Sequence, residues 1–524
     1  MAIVLMAWPS LAGAQHLSPI PPRGGVRTHV LPNQTGAASP WTPLTNQPTF
    51  LDDVNCAGAA NPLLLTDGTV IVQEGGCQEW WRLTPDNTGS YANGTWSQLA
   101  SLPADYSPLY HSSAVLPDGR VIIMGGEYNF FNPVWTNLGA IYDPVANTWT
   151  SVNPPAGWTS IGDAQSVILP DGTYMQANCC TKESALLDAK TLTWSPTGTG
   201  KFDPNDEEGW NLLPSGQVLA VDAYVPIPPF PYLPNGKHSE LYDPLTGTWS
   251  SAGSTIVQLW DSNVTCGERH ATFELGPAVL RPDGTVFYAG SDTCQTNGTP
   301  PQFANGNTAI YDSSTGKWTR GPTFTGGNNI ADGPASLEIN GKVLMMASPS
   351  YGDPPSTFFE WDGQNLYVVP GTPNAPTDGS YYGNMLMLPS GQVLLTDFSD
   401  DIELYNPSGT YQPEWAPLVT GYPLVVVPGG SYEIYGFRFN GMSQGAFYGD
   451  DVQAATNFPL VRITNLSTGH IFYSRTYGHS SMAVASSDFN YTHFEVPAGQ
   501  ETGLSELEVV ANGIPSPAQF LYVK

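Results

Sequence analysis

The sequence predicts an all-β chain, a seven-bladed β-propeller followed by a smaller β-sandwich. A pair of short apolar runs around a tight turn recurs seven times, and tryptophan-centred segments recur in phase with it. The 55 glycines and 49 prolines are spread along the chain and charged residues make up only 12%, which is a composition of turns rather than of disorder. With 524 residues the chain is long enough for more than one core.

The repeat is clearest in the run from Tyr110 through Asp118-Gly119 to Gly125-Gly126. Two apolar segments flank an Asp-Gly pair, the strongest short-range signal for a β-hairpin because both turn residues tolerate positive φ. Six further versions turn at Asp67-Gly68, Asp171-Gly172, Ser215-Gly216, Asp283-Gly284, Asn340-Gly341 and Ser390-Gly391. Their spacing of about 45 to 70 residues is that of a four-stranded propeller blade with its loops. Thr95-Trp96-Ser97, Thr148-Trp149-Thr150, Thr193-Trp194-Ser195, Thr248-Trp249-Ser250 and Lys317-Trp318-Thr319 read as the outer strands that close successive blades.

From the N-terminus, residues 1–14 read as a signal peptide: an apolar run from Ile3 to Leu11 precedes Ala12-Gly13-Ala14, although a basic leading region is missing. Residues 15–40 are a flexible lead with Pro21-Pro22 and Gly24-Gly25. The propeller is expected over 41–414. Trp41-Thr42-Pro43-Leu44 reads as an orphan outer strand that joins blade 7 and closes the ring, removing exposed sheet edges. Residues 415–524 lose the hairpin motif and show short alternating strands, the pattern of an immunoglobulin-like sandwich.

The formal net charge of −29, with 17 Lys and Arg, argues against a nucleic-acid partner. No further apolar run is long enough to span a bilayer, so the expected location is secreted or periplasmic and the expected state a monomer. Six cysteines in an exported chain suggest disulfides. Cys56 and Cys77 fall near opposite ends of the first hairpin, and Cys266 and Cys294 flank the fifth. Cys179-Cys180 either form a vicinal bridge or stay free.

The Gly-Gly pairs at Gly75-Gly76 and Gly125-Gly126, the Tyr-Asp-Pro turns at Tyr142-Asp143-Pro144 and Tyr242-Asp243-Pro244, and the tryptophan strands resemble kelch repeats. Seven of them followed by an early-set sandwich resemble galactose oxidase and glyoxal oxidase, the copper-radical oxidases. That resemblance implies copper on the propeller axis, with Tyr110 as the cross-linked tyrosine ligand, Cys56 as its thioether partner and Tyr128 as the covering aromatic. It further implies Tyr381 as the axial ligand and His479 as the histidine that the C-terminal domain inserts through the ring. Blade 7 departs from the pattern, because Tyr381 is followed by Tyr382 where the family has a histidine. Cys56 has two competing fates, since a disulfide to Cys77 uses the sulfur that a thioether to Tyr110 needs.

Alignment of the blades by their turn glycines adds an acidic set. Where blade 2 has Tyr110, blade 3 has Asp163, blade 4 has Glu207 followed by Glu208, blade 6 has Asp332, and blade 5 has Glu274 one position earlier. Such a ring suits a hard cation, making calcium the alternative to copper. Three readings of function follow. The resemblance implies an oxidase of primary alcohols, aldehydes or carbohydrates; Tyr128, Tyr382, Glu207 and Asp332 are the candidate substrate-binding residues. The alternative is a non-catalytic carbohydrate- or surface-binding protein on the same scaffold. A weaker third is a hydrolase or lyase using the carboxylates.

Overall fold

The computed structural model describes residues 39–48, 56–206, 208–223, 237–260, 274–291, 305–349, 352–449 and 454–524. The expected signal peptide, most of the lead, Glu207, Cys266 and Cys294 lie outside them. Among the described residues no helix is long and apolar enough to cross a membrane.

Seven antiparallel blade sheets follow one another along the chain, six of four strands and that of blade 6 widened to six by two further short strands. Their inner strands are Ala59–Leu64, Ser112–Val115, Ser166–Ile168, Asn211–Leu212, Ala278–Leu280, Ala335–Leu337 and Asn384–Met387. Every residue of these strands is buried, because neighbouring blades cover both faces and the usual polar alternation is lost. Outer strands such as Thr95–Gln98 and Thr148–Ser151 face solvent along most of their length.

The local chemistry explains the repeat. In four of the turns the aspartate accepts a hydrogen bond from the amide two residues on: Asp67 from Thr69 at 3.0 Å, Asp118 from Arg120 at 3.1 Å, Asp171 from Thr173 at 2.9 Å and Asp283 from Thr285 at 3.0 Å. This pre-forms the turn before the strands pair. The outer-strand tryptophans are latches between blades. Trp96 Nε1 donates to the Asn46 carbonyl at 2.9 Å, Trp149 to Ala100 at 3.0 Å, Trp194 to Asn153 at 2.7 Å and Trp318 to Ala252 at 3.2 Å. Each acceptor belongs to or follows the outer strand of the preceding blade.

The orphan strand obeys the same rule. Trp41–Pro43 pairs antiparallel with blade 7, Trp41 opposite Tyr405 and Pro43 opposite Glu403. Trp41 Nε1 donates to the Pro370 carbonyl at 2.7 Å, just past the outer strand of blade 6. Its ring meets Phe358 and Tyr405 edge-on at 4.9 and 5.0 Å.

Beyond blade 7, strands from Leu418–Gly421 to Gln519–Val523 form one sheet path that closes around its own core. Val419, Ile434, Val461, Ile463, Phe494, Leu507, Val509 and Leu521 meet in that core, and alternation along Ser431–Phe437 and Leu460–Asn465 sends their neighbours outward. One piece of this C-terminal region leaves the sandwich. Ala446–Phe447 pairs antiparallel with the inner strand of blade 6, Ala335 opposite Phe447, and lies against the inner strands of blades 5 and 7 as well. The segment therefore runs inside the ring.

Replacing Trp41 by alanine removes a buried indole and its latch. We expect a loss of about 3–5 kcal/mol, read as a lower denaturant midpoint. The equivalent change at half-exposed Trp96 should cost distinctly less.

Candidate functional site

Residues just ahead of the inner strands gather at one mouth of the ring. Tyr110 precedes Ser112–Val115, and Tyr381 and Tyr382 sit in a short 3-10 turn, Ser380–Tyr382, ahead of Asn384–Met387. Tyr128 and Phe398, which follow the second strands of blades 2 and 7, complete an apolar cluster with Ala57, Ala60 and Leu109, and Phe131, Tyr110, Tyr381 and Tyr382 pack against it. The Tyr110 ring lies 6.2 Å from Tyr128 and 6.3 Å from Phe398, both edge-on. Tyr382 contacts Tyr381 at 4.4 Å and Phe398 at 6.4 Å. Close approach demands glycine here: a Cβ on Gly76, at φ +70, would fall 2.2 Å from the Phe131 ring. Tyr110 itself has φ +49, a left-handed backbone costing a non-glycine residue roughly 1–2 kcal/mol, and tertiary packing must hold it there.

The segment inside the ring delivers a residue that sequence reasoning missed. Tyr448 stacks on Tyr110 at 6.4 Å, and its hydroxyl lies 2.8 Å from the Tyr381 carbonyl and 3.1 Å from the Asp332 carboxylate, so its one proton is shared between two acceptors. Gly449 follows, so close to blade 4 that a Cβ on Gly209 would stand 2.4 Å from its carbonyl oxygen. The available signal was the apolar Gly445-Ala446-Phe447-Tyr448-Gly449, an interruption among polar loop residues. Glu127, directly after Gly125-Gly126, was also missed. Its amide donates to the Tyr110 carbonyl at 3.0 Å, and its carboxylate bonds the Tyr128 hydroxyl and acts on Tyr110.

Two expected site residues are elsewhere. His479 does not reach the mouth. Its amide donates to the Pro117 carbonyl at 3.2 Å, Nδ1 lies 2.8 Å from Thr492 Oγ1, and its ring stacks on Phe458 at 6.3 Å. Pro117 begins the blade 2 turn, at the far end of the inner strand from Tyr110 and roughly 20 Å away at 3.3 Å per residue. Thr476 and Met482 bond the turn regions of blades 1 and 3, at the Thr66 and Pro170 carbonyls, so this stretch lies across the turns rather than through the ring. Cys56 is bonded to Cys77 and not to Tyr110. The two hairpin ends are close enough for a disulfide, with Cα atoms 5.7 Å apart, and that bond uses the sulfur a thioether requires.

The acidic set also divides. Asp332 reaches the mouth, whereas Glu208 turns into a buried knot between blades 3 and 4. There the Lys201 ammonium lies 2.6 Å from Asp203, 2.9 Å from Glu208, 2.8 Å from Glu240 and 3.5 Å from Asp222, and His238 Nδ1 bonds Asp222. Burial pushes Asp203 up to about 6 and Glu208 well above the usual carboxylate range. Asp203, Glu208 and Asp222 are the all-carboxylate group whose oxygens converge among the described residues, and a lysine fills it. Among the described residues no such set of converging carboxylates lies at the mouth, where calcium was expected. Cys179 and Cys180 are unbridged, and the Cys179 thiol lies 3.7 Å from Asp206.

The chemistry of the mouth follows from its donors. Burial first, then Tyr381 and the carboxylates of Glu127 and Asp332, hold the Tyr110 phenol well above its ordinary range. Burial also raises Tyr128 and Tyr381, the former helped by Glu127 and the latter by its contact with Tyr382. The Tyr110 hydroxyl is buried without a hydrogen-bond partner, which suits a ligand yet to arrive. Copper(II) is a poorer fit, because it favours nitrogen-rich tetragonal sites. No histidine is placed at the mouth among the described residues: His111 is buried with Nε2 2.9 Å from Gln73 Oε1, and His479 is at the turns. The donors offered are phenol and carboxylate oxygens.

No known family profile matches the chain. Kelch-like protein terF of Aspergillus terreus is 27% identical to it over 127 residues, 23% of this chain and 25% of that protein, so the chain matches about a quarter of that relative's length. Among solved structures, a fungal alcohol oxidase of the AA5 family in complex with copper is similar over 92% of this chain and 99% of its own, with a TM-score of 0.48 and 14% identity. A streptogramin B lyase is similar over 70% of this chain and 96% of its own, with a TM-score of 0.44 and 10% identity. The expected seven blades rest on the sheets themselves.

The two buried histidines give a pH signature. Burial lowers His111 from 6.5 to about 4 and His479 to about 3. Both stay neutral in the native protein while the unfolded chain takes up protons below pH 6.5. Their contribution to stability is thus complete above 6.5 and lost as pH falls towards 4 and then 3, each proton adding a slope of about 1.4 kcal/mol per pH unit. Urea midpoints of His111→Gln/His479→Gln should vary less between pH 6.5 and 4 than those of the parent chain.

Proposed function

We propose that the mouth of the propeller binds a small, neutral, polyhydroxylated ligand, a carbohydrate by class, without copper-radical chemistry. The observation that carries this is the lining: the aromatic rings of Tyr110, Tyr128, Tyr381, Tyr382 and Phe398 pack together, the carboxylates of Asp332 and Glu127 act on Tyr110, and the described residues bring no imidazole to them. Aromatic faces stack on the apolar face of a sugar ring while carboxylates and phenols accept or donate to its hydroxyls. The Cys56–Cys77 disulfide supports the same reading from the other side, since it leaves Tyr110 without the sulfur of a thioether radical. An extracytoplasmic location accords with that disulfide and with the apolar N-terminal run.

A second reading, oxidation of a primary alcohol or aldehyde, draws support from the unpartnered Tyr110 hydroxyl, a place where a metal would find a ligand.

One experiment separates them. Calorimetric titration with galactose, glucose, cellobiose and glycerol should detect binding that Tyr382→Ala or Asp332→Asn weakens at least tenfold without lowering the melting temperature. In parallel, the chain is loaded with copper in air, reduced and analysed by peptide mass spectrometry. Cys56 and Cys77 should both become alkylatable. A Cys56–Tyr110 link that survives reduction, together with peroxide formed from a primary alcohol, would overturn the binding-only reading in favour of the oxidase.

A further inference from the structure

The sandwich carries an aromatic face that the mouth does not use. Along Ser431–Phe437 and Phe489–Glu495, alternation sends Ile434, Thr492 and Phe494 inward and Tyr435, Phe437, Phe489, Tyr491 and His493 to the opposite face. Strand Ile471–Tyr477 adds Tyr477 to it. Register sets Phe437 opposite Phe489, Tyr435 opposite Tyr491, and Glu433, His493 and Tyr477 in one row across three strands.

The rings form a connected path. Tyr435 and Phe489 are 6.0 Å apart and within 14° of parallel, Phe437 and Phe489 5.6 Å apart, Tyr435 and Tyr491 6.2 Å, Tyr491 and His493 6.1 Å, and His493 and Tyr477 5.3 Å and within 19° of parallel. Yet Phe489 is 57% and Tyr491 40% exposed. An outward sheet face serving only the fold needs polar residues, not a row of six rings, and a contiguous exposed apolar patch marks a surface that meets a partner.

Charge selects the partner. The ionisable groups around the row are matched within it: Glu433 accepts from the Tyr435 hydroxyl and lies 3.0 Å from His493 Nε2, and Glu495 lies 3.0 Å from Arg475. A cationic partner would find these carboxylates already engaged. An anionic one would meet a chain of net charge −29. What complements the row is a neutral molecule that presents apolar ring faces and hydroxyls in sequence, and the length of the row favours a chain over a single sugar. We propose that this face docks a neutral polysaccharide, its sugar rings lying on Tyr435, Phe489 and Tyr491. The site shares no residue with the mouth and stands or falls separately from it.

The test uses the full chain and named polymers: depletion from solution by insoluble cellulose and chitin, and affinity electrophoresis in galactomannan. The expected result is retention by at least one of them that persists at high salt, because the ligand is uncharged. Phe489→Thr/Tyr491→Thr, which keeps strand propensity, should reduce retention at least tenfold while leaving the melting temperature and small-sugar binding at the mouth unchanged. Absence of retention, retention released by salt, or retention indifferent to the double variant would overturn the proposal. So would a dimer, seen by light scattering, that the double variant dissolves, since the face would then belong to a second copy of the chain. Loss of small-sugar binding with polymer retention intact would count against the mouth and leave this face standing.

Discussion

The structure depends on a pairing between residues more than 350 positions apart. Trp41–Pro43 supplies the outer strand of blade 7, and without it that blade has three strands and a free edge. A ring of blades has no strength in series with an open joint, because each blade is held by its two neighbours. The tryptophan latch shows how the joint is made equivalent to the others: Trp41 reaches the Pro370 carbonyl much as Trp149 reaches Ala100.

The closed ring in turn fixes what its two ends can do. Residues before the inner strands converge at one end, where phenols and carboxylates lie close together and burial keeps the phenols protonated. At the other end the hairpin turns receive the sandwich through Thr476, His479 and Met482. Between blades 3 and 4 the fold places several carboxylates around one ammonium. An excess of buried negative charge raises proton affinity instead of remaining fully ionised, as the upward shifts of Asp203 and Glu208 record.

What was legible in the sequence was what is encoded locally. Asp-Gly turns, tryptophan strands and their spacing reveal the blades because the turn hydrogen bond and the latch are made by residues at fixed offsets. Tyr110 and Asp332 were found by counting back from the turn glycines, since an inner strand fixes which residue stands at its start, and Tyr381 came from the resemblance in blade 7. Tyr448 was not, because its position depends on a segment leaving one domain to pair inside another, and no local pattern states that. His479 was misplaced for the converse reason: it lies in the right domain, but the stretch around it rests on turns. Glu208 looked like another residue of the mouth until Lys201, seven residues earlier, drew it inward. Cys56 had two partners within reach of the sequence pattern, and only the geometry of its hairpin favours one.

The strand Ala446–Phe447 bears on how the protein comes into being. A chain emerging from the ribosome completes blade 7 at Tyr405, and the wall of the mouth formed by Tyr448 arrives some forty residues later. Either the blades assemble around a segment that is still being made, or a formed ring must open to admit it. Ring closure by Trp41–Pro43 and the docking of Ala446–Phe447 both join residues far apart in the chain, and contacts of that kind raise the contact order, which slows folding. A chain that ends before residue 446 has the strands of all seven blades and lacks Tyr448 at the mouth.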